Sequence, residues 1–256
     1  MTGTTMTKIA IITGGNRGLG KSMALHLADR GVDVILTYKS GSDAAREVVA
    51  QLEAVGRKAV ALQLDVGDAG AYPAFAARVA AELAQRWQRD RFDLLVNNAG
   101  IGLHAQIVET TEAQFDELYR VHLKAAMFLV QRLLPQLADG GRILNVSTGL
   151  ARFTLPGYGA YAAMKGAIEV LTRYMAKELG PRGITVNAIA PGAVETDFGG
   201  GAVRDNKPLN QMIASTVALG RVGLPDDIGA AVALLLSPEA GWITGQRIEV
   251  SGGTLL

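Results

Sequence analysis

At 256 residues, with 49 % hydrophobic and 19 % charged side chains, the chain suits one large, well-buried α/β core and is too apolar for a disordered tail or a charge-striped binder. Its formal net charge of +1 comes without any Lys/Arg run, which argues against nucleic-acid or anionic-membrane partners. The absence of cysteine excludes a disulfide framework, a cysteine-ligated metal and a thiol nucleophile, and no metal site is expected.

The opening MTGTTMTK lacks the charged-then-apolar layout of a signal peptide. The longest apolar run, 230–236, falls well short of the ~20 residues that span a bilayer, so a soluble cytoplasmic protein is expected. KIAIIT, a helical stretch over 19–29 and VDVILTY form a βαβ unit. A helix over 43–55 then leads to the strand KAVALQL, a helix over 72–87 to FDLLVNN, and a helix over 112–137 to GRILNVS. A helix over 158–179 leads to GITVNAIA, and one over 226–236 to QRIEV. Each strand is apolar on both alternating faces, as central parallel strands require. The expectation is a single domain over 1–256, a doubly wound (Rossmann) parallel sheet of about seven strands with helices on both faces. Only 192–223 breaks the pattern. Its Phe198-Gly199-Gly200-Gly201 is poor helix interior, which suits a flexible substrate loop at about 193–222 or, equally, a disordered surface loop.

Between the first strand and helix lies TGGNRGLG. Gly14, Gly18 and Gly20 stand where backbone would approach a pyrophosphate and accept positive φ, with Asn16, Arg17 and Leu19 between them. The same neighbourhood has a second reading: residues 15–22, GNRGLGKS, spell G-x-x-x-x-G-K-S, the P-loop of nucleoside triphosphatases, and Asp65 after VALQL could serve as its Mg²⁺-holding acid. Elsewhere, Tyr161 and Lys165 are four apart in a helical stretch and share a face. An ammonium beside a phenol lowers its pKa from about 10 and makes it a usable acid or base. Taken alone, such a pair is also common on helix surfaces.

These segments in their order resemble the short-chain dehydrogenase/reductases. The resemblance is carried by TGxxxGxG at 13–20, Asn97-Asn98-Ala99-Gly100 after the fourth strand, Tyr161-Ala162-Ala163-Met164-Lys165, Asp65-Val66, Pro191-Gly192 with Thr196, and the closing TGQRIEVSGG. It covers the chain nearly end to end and implies that Tyr161 is the catalytic tyrosine and Lys165 the lysine that also bonds the nicotinamide ribose. It further implies that Asp65 and Val66 border the adenine, that Asn98, Ala99 and Gly100 line the cofactor, and that Pro191, Gly192, Val194 and Thr196 fix the nicotinamide. A homotetramer, or else a dimer, is implied as well, with the long helices over 112–137 and 158–179 as interfaces.

Two positions depart from the family pattern. The substrate-orienting serine falls on Thr148, which keeps the hydroxyl, with Ser147 as the fallback. Both hydroxyls could instead satisfy backbone at a strand end. His122 stands where the family has an asparagine that helps hold a water linking the lysine to solvent. It either relays protons, with a titration near neutrality, or is a packing substitution that impairs the relay. His26 and His104 have no motif context and are read as structural or surface residues.

The second strand ends Tyr38-Lys39-Ser40 with no acid to bond a ribose 2′-hydroxyl, whereas Lys39 and Arg17 suit a 2′-phosphate. NADP(H) is therefore expected over NAD(H), serving hydride transfer with a small carbonyl or alcohol substrate, a ketone, 3-oxoacyl thioester or similar molecule, as the resemblance to 3-oxoacyl-carrier-protein-reductase-like members of the family implies. The substrate pocket is expected to be drawn from 150–158 and the loop after Gly192, shaped by Arg152, Phe153 and Phe198. Two other readings stand beside this one: a cofactor-binding regulator with weak or lost catalysis, motivated by His122 and Thr148, and a P-loop phosphotransferase.

Overall fold

Strand β1 (Ile9–Ile12) is buried at every position, and its side chains divide between two layers. Ile9 and Ile11 join Phe75, Val79, Leu129 and Leu133 on one face, while Ala10 and Ile12 join Met23, Leu27, Val48 and Val232 on the other. An all-parallel sheet covered on both faces needs this unbroken apolar pattern. The computed structural model describes residues 7–256. The first six residues, part of the segment read for a signal peptide, lie outside the described residues.

The remaining strands are β2 (Asp33–Tyr38), β3 (Ala59–Gln63), β4 (Phe92–Asn97), β5 (Leu137–Val146), β6 (Thr185–Pro191) and β7 (Arg247–Val250). They pair in parallel in the order β3-β2-β1-β4-β5-β6-β7, the doubly wound arrangement expected. Helices α1 (Gly18–Asp29), α2 (Ser42–Ala54) and α9 (Pro225–Leu235) cover one face. Helices α3 (Tyr72–Glu82), α5 (Ala125–Leu133) and α6 (Gly159–Leu179) cover the other. The strand order turns back between β1 and β4, and a crevice opens there at the carboxyl edge. No helix among the described residues is long and apolar enough to cross a membrane.

Two stretches differ from the sequence expectation. The helix expected over 112–137 is α4 (Glu112–Leu118), capped by a reciprocal Thr111/Gln114 box, then a π-helical turn over Tyr119–Lys124, then α5. Beyond α5 the chain turns early into β5, which starts at Leu137 rather than near Gly141 because an irregularity in the β4–β5 register takes up the extra residues. Residues 193–222 hold two helices, α7 (Ala202–Asp205) and α8 (Lys207–Ala214). Gly199, Gly200 and Gly201 all take positive φ immediately before α7, so the glycines that make poor helix interior lie outside the helices. The segment is tied down at its far end, where Leu219 N donates to Gly252 O and Leu255 N to Thr216 O.

The β1–α1 turn closes so tightly that a Cβ on Gly20 would run into the Gly14 carbonyl oxygen and stand 2.7 Å from Asn98 Nδ2. Gly20→Ala is expected to lower unfolding free energy in urea by about 3 kcal/mol. Gly180→Ala, at a helix end with nothing within 4 Å, should stay within about 1 kcal/mol of the parent.

Candidate active site

Thr13 links the β1–α1 turn to the segment after β4. Its hydroxyl accepts from Asn98 N (2.9 Å) and Ala99 N (3.0 Å) and donates to Val96 O (3.3 Å). The Asn98 amide returns the contact by donating to Thr13 O (2.8 Å) and Gly14 O (3.2 Å). Gly14 and Gly18 both take positive φ, and Gly14 lies so close to Ala99 that an added Cβ would be 3.1 Å from its Cα. No side chain caps α1, which leaves the amides of Gly18, Leu19 and Gly20 as donors for a bound anion. The residues of this edge thus fit the pyrophosphate of a dinucleotide.

The P-loop reading fails here. Ser22, which would have to face Mg²⁺, is buried, and its hydroxyl is committed to Asp226 Oδ1 on α9 at 2.9 Å.

Along the edge toward β3, Asn16 Nδ2 donates to Ser40 O (3.1 Å), which places the glycine turn beside the end of β2 and Tyr38. Lys39 Nζ lies 2.8 Å from Asp65 Oδ2. Burial pushes the Asp65 carboxyl up, but the Lys39 ammonium and the Gly67 amide outweigh it and hold the group below its ordinary value. The expected 2′-phosphate cation and the expected adenine-side acid are therefore one ion pair, a contact that neither residue signals in sequence. Arg17 remains largely exposed, with Asp197 no nearer than 3.9 Å. Val66 is buried behind Asp65.

On the other side of the crevice, β6 ends at Pro191. Gly192 packs against Ser251 with its amide on Val250 O, and Val194 bridges to Gly223. Thr196 lies against Gly18, its Cβ 3.7 Å from where a Gly18 Cβ would be. The segment after β6 thus borders the glycine turn from the opposite wall.

The proton-handling groups converge between β5 and α6. Tyr161 and Lys165 share one helix face, with Lys165 Nζ 5.7 Å from the Tyr161 ring centre. Lys165 is buried and donates to Val146 O at 2.7 Å. The two hydroxyls after β5 differ in their commitments: Ser147 donates to Glu169 Oε1 (2.5 Å) on α6, whereas the Thr148 hydroxyl accepts from Leu150 N (3.3 Å) and lies on the side of the Tyr161 phenol.

The protonation expected of the pair differs in the structure. Burial raises the Tyr161 phenol above its ordinary value, only partly opposed by the Thr148 hydroxyl. Burial also pulls Lys165 down to about 7. Desolvation in this closed site outweighs the attraction of the ammonium for a phenolate.

His122 sits on the π-helical turn, 4 % exposed, with its ring edge-on to Tyr161 at 5.2 Å. Its Nε2 lies 2.9 Å from Ile101 O. With Nε2–H donating there, Nδ1 is left as an acceptor that has no partner among the described residues. Gly100 makes the room, since a Cβ there would be 2.8 Å from His122 Cε1. A cavity of about 20 Å³ between His122, Lys165, Asn97 and Thr13 has space for one water. The expected titration near neutrality does not occur, because burial, then the Lys165 charge, lower the imidazole to about 3.

Rings gather at the mouth. Phe198 lies 5.9 Å from the Tyr161 ring and rests on Gly102. His104, read as structural or surface, stands edge-on to Tyr158 at 5.1 Å and leans on Gly157, where a Cβ would collide with it. Phe153 packs on Gly149. Arg152 is turned away from the expected pocket, its guanidinium forked onto Glu249 with two 2.8 Å bonds. Sequence reasoning also missed a buried polar ladder from β4 to α6, in which Asn97 donates to Asn145 and Asn145 to Thr172 (2.8 and 2.9 Å). Its only signal was an asparagine inside the apolar strand GRILNVS, which had to find a partner.

The chain matches the family model described as Enoyl-(Acyl carrier protein) reductase over residues 14–254. It is similar to the hydroxynaphthalene reductase-like protein Arp2 of Metarhizium brunneum, at 36 % identity over 97 % of this chain and 95 % of that protein. Among solved structures it is similar to the promiscuous reductase LugOII, which catalyses keto-reduction at C1 during lugdunomycin biosynthesis, at 40 % identity, a TM-score of 0.92 and 98 % coverage of both chains. It is also similar to the angucycline C-6 ketoreductase LanV with bound NADP, at 37 % identity and a TM-score of 0.92, covering 98 % of this chain and 96 % of that one.

Between about pH 3 and 6.5 the unfolded chain binds a proton at His122 that the folded chain refuses, so this group's contribution to stability is lost as pH falls through that window. His122→Asn should flatten the acid side of a plot of urea midpoint against pH. Parallel profiles for the two proteins would contradict the buried neutral imidazole.

Proposed function

The chain belongs to the short-chain dehydrogenase/reductase family and is an oxidoreductase acting between C=O and CH–OH, and from that premise we propose an NADP(H)-dependent ketoreductase of polycyclic aromatic ketones with Tyr161 as general acid/base. The observation that carries the proposal is the convergence of Tyr161, Thr148 and Lys165 beside a dinucleotide-shaped edge. When bound, the nicotinamide supplies or takes up the hydride.

In the reducing direction the Thr148 hydroxyl donates to the substrate oxygen and holds it beside the phenol. Burial keeps Tyr161 protonated, so the phenol has a proton to give as negative charge develops on that oxygen. Lys165, anchored on Val146 O, orients the ribose side and offsets the resulting phenolate. His122 stays neutral and accepts through Nδ1 from a water in the adjoining cavity, the first link in a relay that refills Lys165 and Tyr161.

NADP(H) is preferred over NAD(H) because the end of β2 carries Lys39 and no acid, and because exposed Arg17 in the glycine turn offers a second cation. The NADP-bound LanV structure agrees with this preference. The substrate class is supported by the rings of Phe198, Tyr158 and His104 around the mouth, which present flat faces to a flat molecule, and by relatives named as a hydroxynaphthalene reductase-like protein and an angucycline C-6 ketoreductase. Residues 193–222, hinged on three left-handed glycines, close over that substrate. The apolar side chains left exposed on α4, α5 and α6, among them Phe115, Phe128, Val170 and Tyr174, form the contact for further copies in a homotetramer or dimer.

One kinetic experiment tests the reading. With a tetralone as substrate, kcat/KM should be higher with NADPH than with NADH, and Tyr161→Phe should lower turnover by at least about 100-fold while NADPH fluorescence still reports binding. Retained turnover in the variant, or a preference for NADH, would overturn the respective part.

A further inference from the structure

An ionic lattice behind the site ties both hydroxyl-bearing residues at the end of β5 to helix α6. Glu169 follows Lys165 by four residues and Tyr161 by eight, so the three share one face of α6. Glu169 Oε1 accepts from Ser147 Oγ (2.5 Å) and from Arg247 Nε on β7 (2.8 Å). Arg247 spends its other two nitrogens on different elements: Nη1 donates to Glu249 Oε2 (2.9 Å) and Nη2 to the backbone oxygen of Thr148 (3.2 Å). Glu249 is itself held by Arg152 and Ser251 (2.8 Å each), and this set of donors, Arg152 first, keeps its carboxyl at about 2. Arg152 in turn reaches Thr254 O (2.7 Å).

We infer that Arg247, held by Glu169, is a positioning residue that sets where the Thr148 hydroxyl stands relative to Tyr161. A closed path supports this: Tyr161 and Glu169 are fixed to each other by α6, Glu169 fixes Arg247, and Arg247 fixes the Thr148 carbonyl. The two bonds just after β5 restrain neighbouring residues from different directions, Ser147 through its side chain and Thr148 through its backbone. A strand end held in that way cannot rotate without breaking one of them.

Stability alone does not account for the arrangement. Ion pairs with some solvent contact contribute little, and a lysine would neutralise Glu169 equally well. Only the planar fork of an arginine donates to these three acceptors at once. Neither Glu169 nor Arg247 touches the reacting atoms, so their action is exerted through Thr148. The inference rests on the role proposed for Thr148.

The test is a double-mutant cycle of Arg247→Met with Thr148→Val, read as kcat and as the NADPH dissociation constant. If Arg247 acts by placing Thr148, Arg247→Met lowers kcat about tenfold in the parent and leaves NADPH affinity within roughly twofold. In the Thr148→Val background the same substitution should then change kcat by less than about twofold. An additive loss, or NADPH affinity falling in step with kcat, overturns the inference while leaving the Thr148 role intact. A Thr148→Val protein with parental kcat overturns both. Should Arg247→Met fail to fold, Arg247→Lys, which keeps the charge and loses the fork, is placed in the same cycle under the same criteria, and Glu169→Gln should reproduce its effect.

Discussion

Thr13 is the point on which the geometry of this molecule turns. A parallel sheet whose order reverses between β1 and β4 must open there, and two separate chain segments, the glycine turn and the Asn97–Gly100 stretch, have to meet across the gap. The Thr13 hydroxyl, accepting two amides from one segment while anchored on the other, joins them. Asn98 completes the junction from its own side. The close approach of Gly14 to Ala99 lies at that junction, beside the unfilled donors at the start of α1.

The second half of the site is governed by dehydration. Tyr161, Lys165 and His122 are all at least nine-tenths buried, and burial acts on each in the direction that removes charge: up for the phenol, down for the ammonium and the imidazole. A protonated phenol suits proton donation to an oxygen placed beside it. The same dehydration keeps His122 neutral. A histidine charged at neutral pH would repel Lys165, whereas a neutral one with a fixed Nε2–H contact offers a single acceptor.

Much of the architecture was legible in the sequence because parallel strands buried on both faces must be apolar throughout, and six helical stretches interrupt them regularly. The glycines of the first turn were legible for a similar reason, since few other residues tolerate the positive φ of Gly14 and Gly18. What stayed hidden depends on contacts rather than on residue type. Local propensity does not encode the π-helical turn that carries His122, and the commitment of the Ser147 hydroxyl to Glu169 and the Lys165 carbonyl joins residues that sequence spacing does not pair. The pairing of Lys39 with Asp65 and of Arg247 with Glu169 joins residues far apart in sequence. The direction of the Tyr161 shift needed the degree of burial, which spacing along a helix does not reveal.

Hydride delivery to a ring carbonyl is the central claim, and the most direct measurement follows the atom itself. The protein, NADPH carrying deuterium on one face of nicotinamide C4, and a tetralone are incubated together and the product is analysed by NMR and mass spectrometry. The account predicts a single alcohol enantiomer bearing deuterium at the former carbonyl carbon when one face is labelled, and none when the other is. Deuterium on neither product, or bound NADPH that is never consumed, would contradict it.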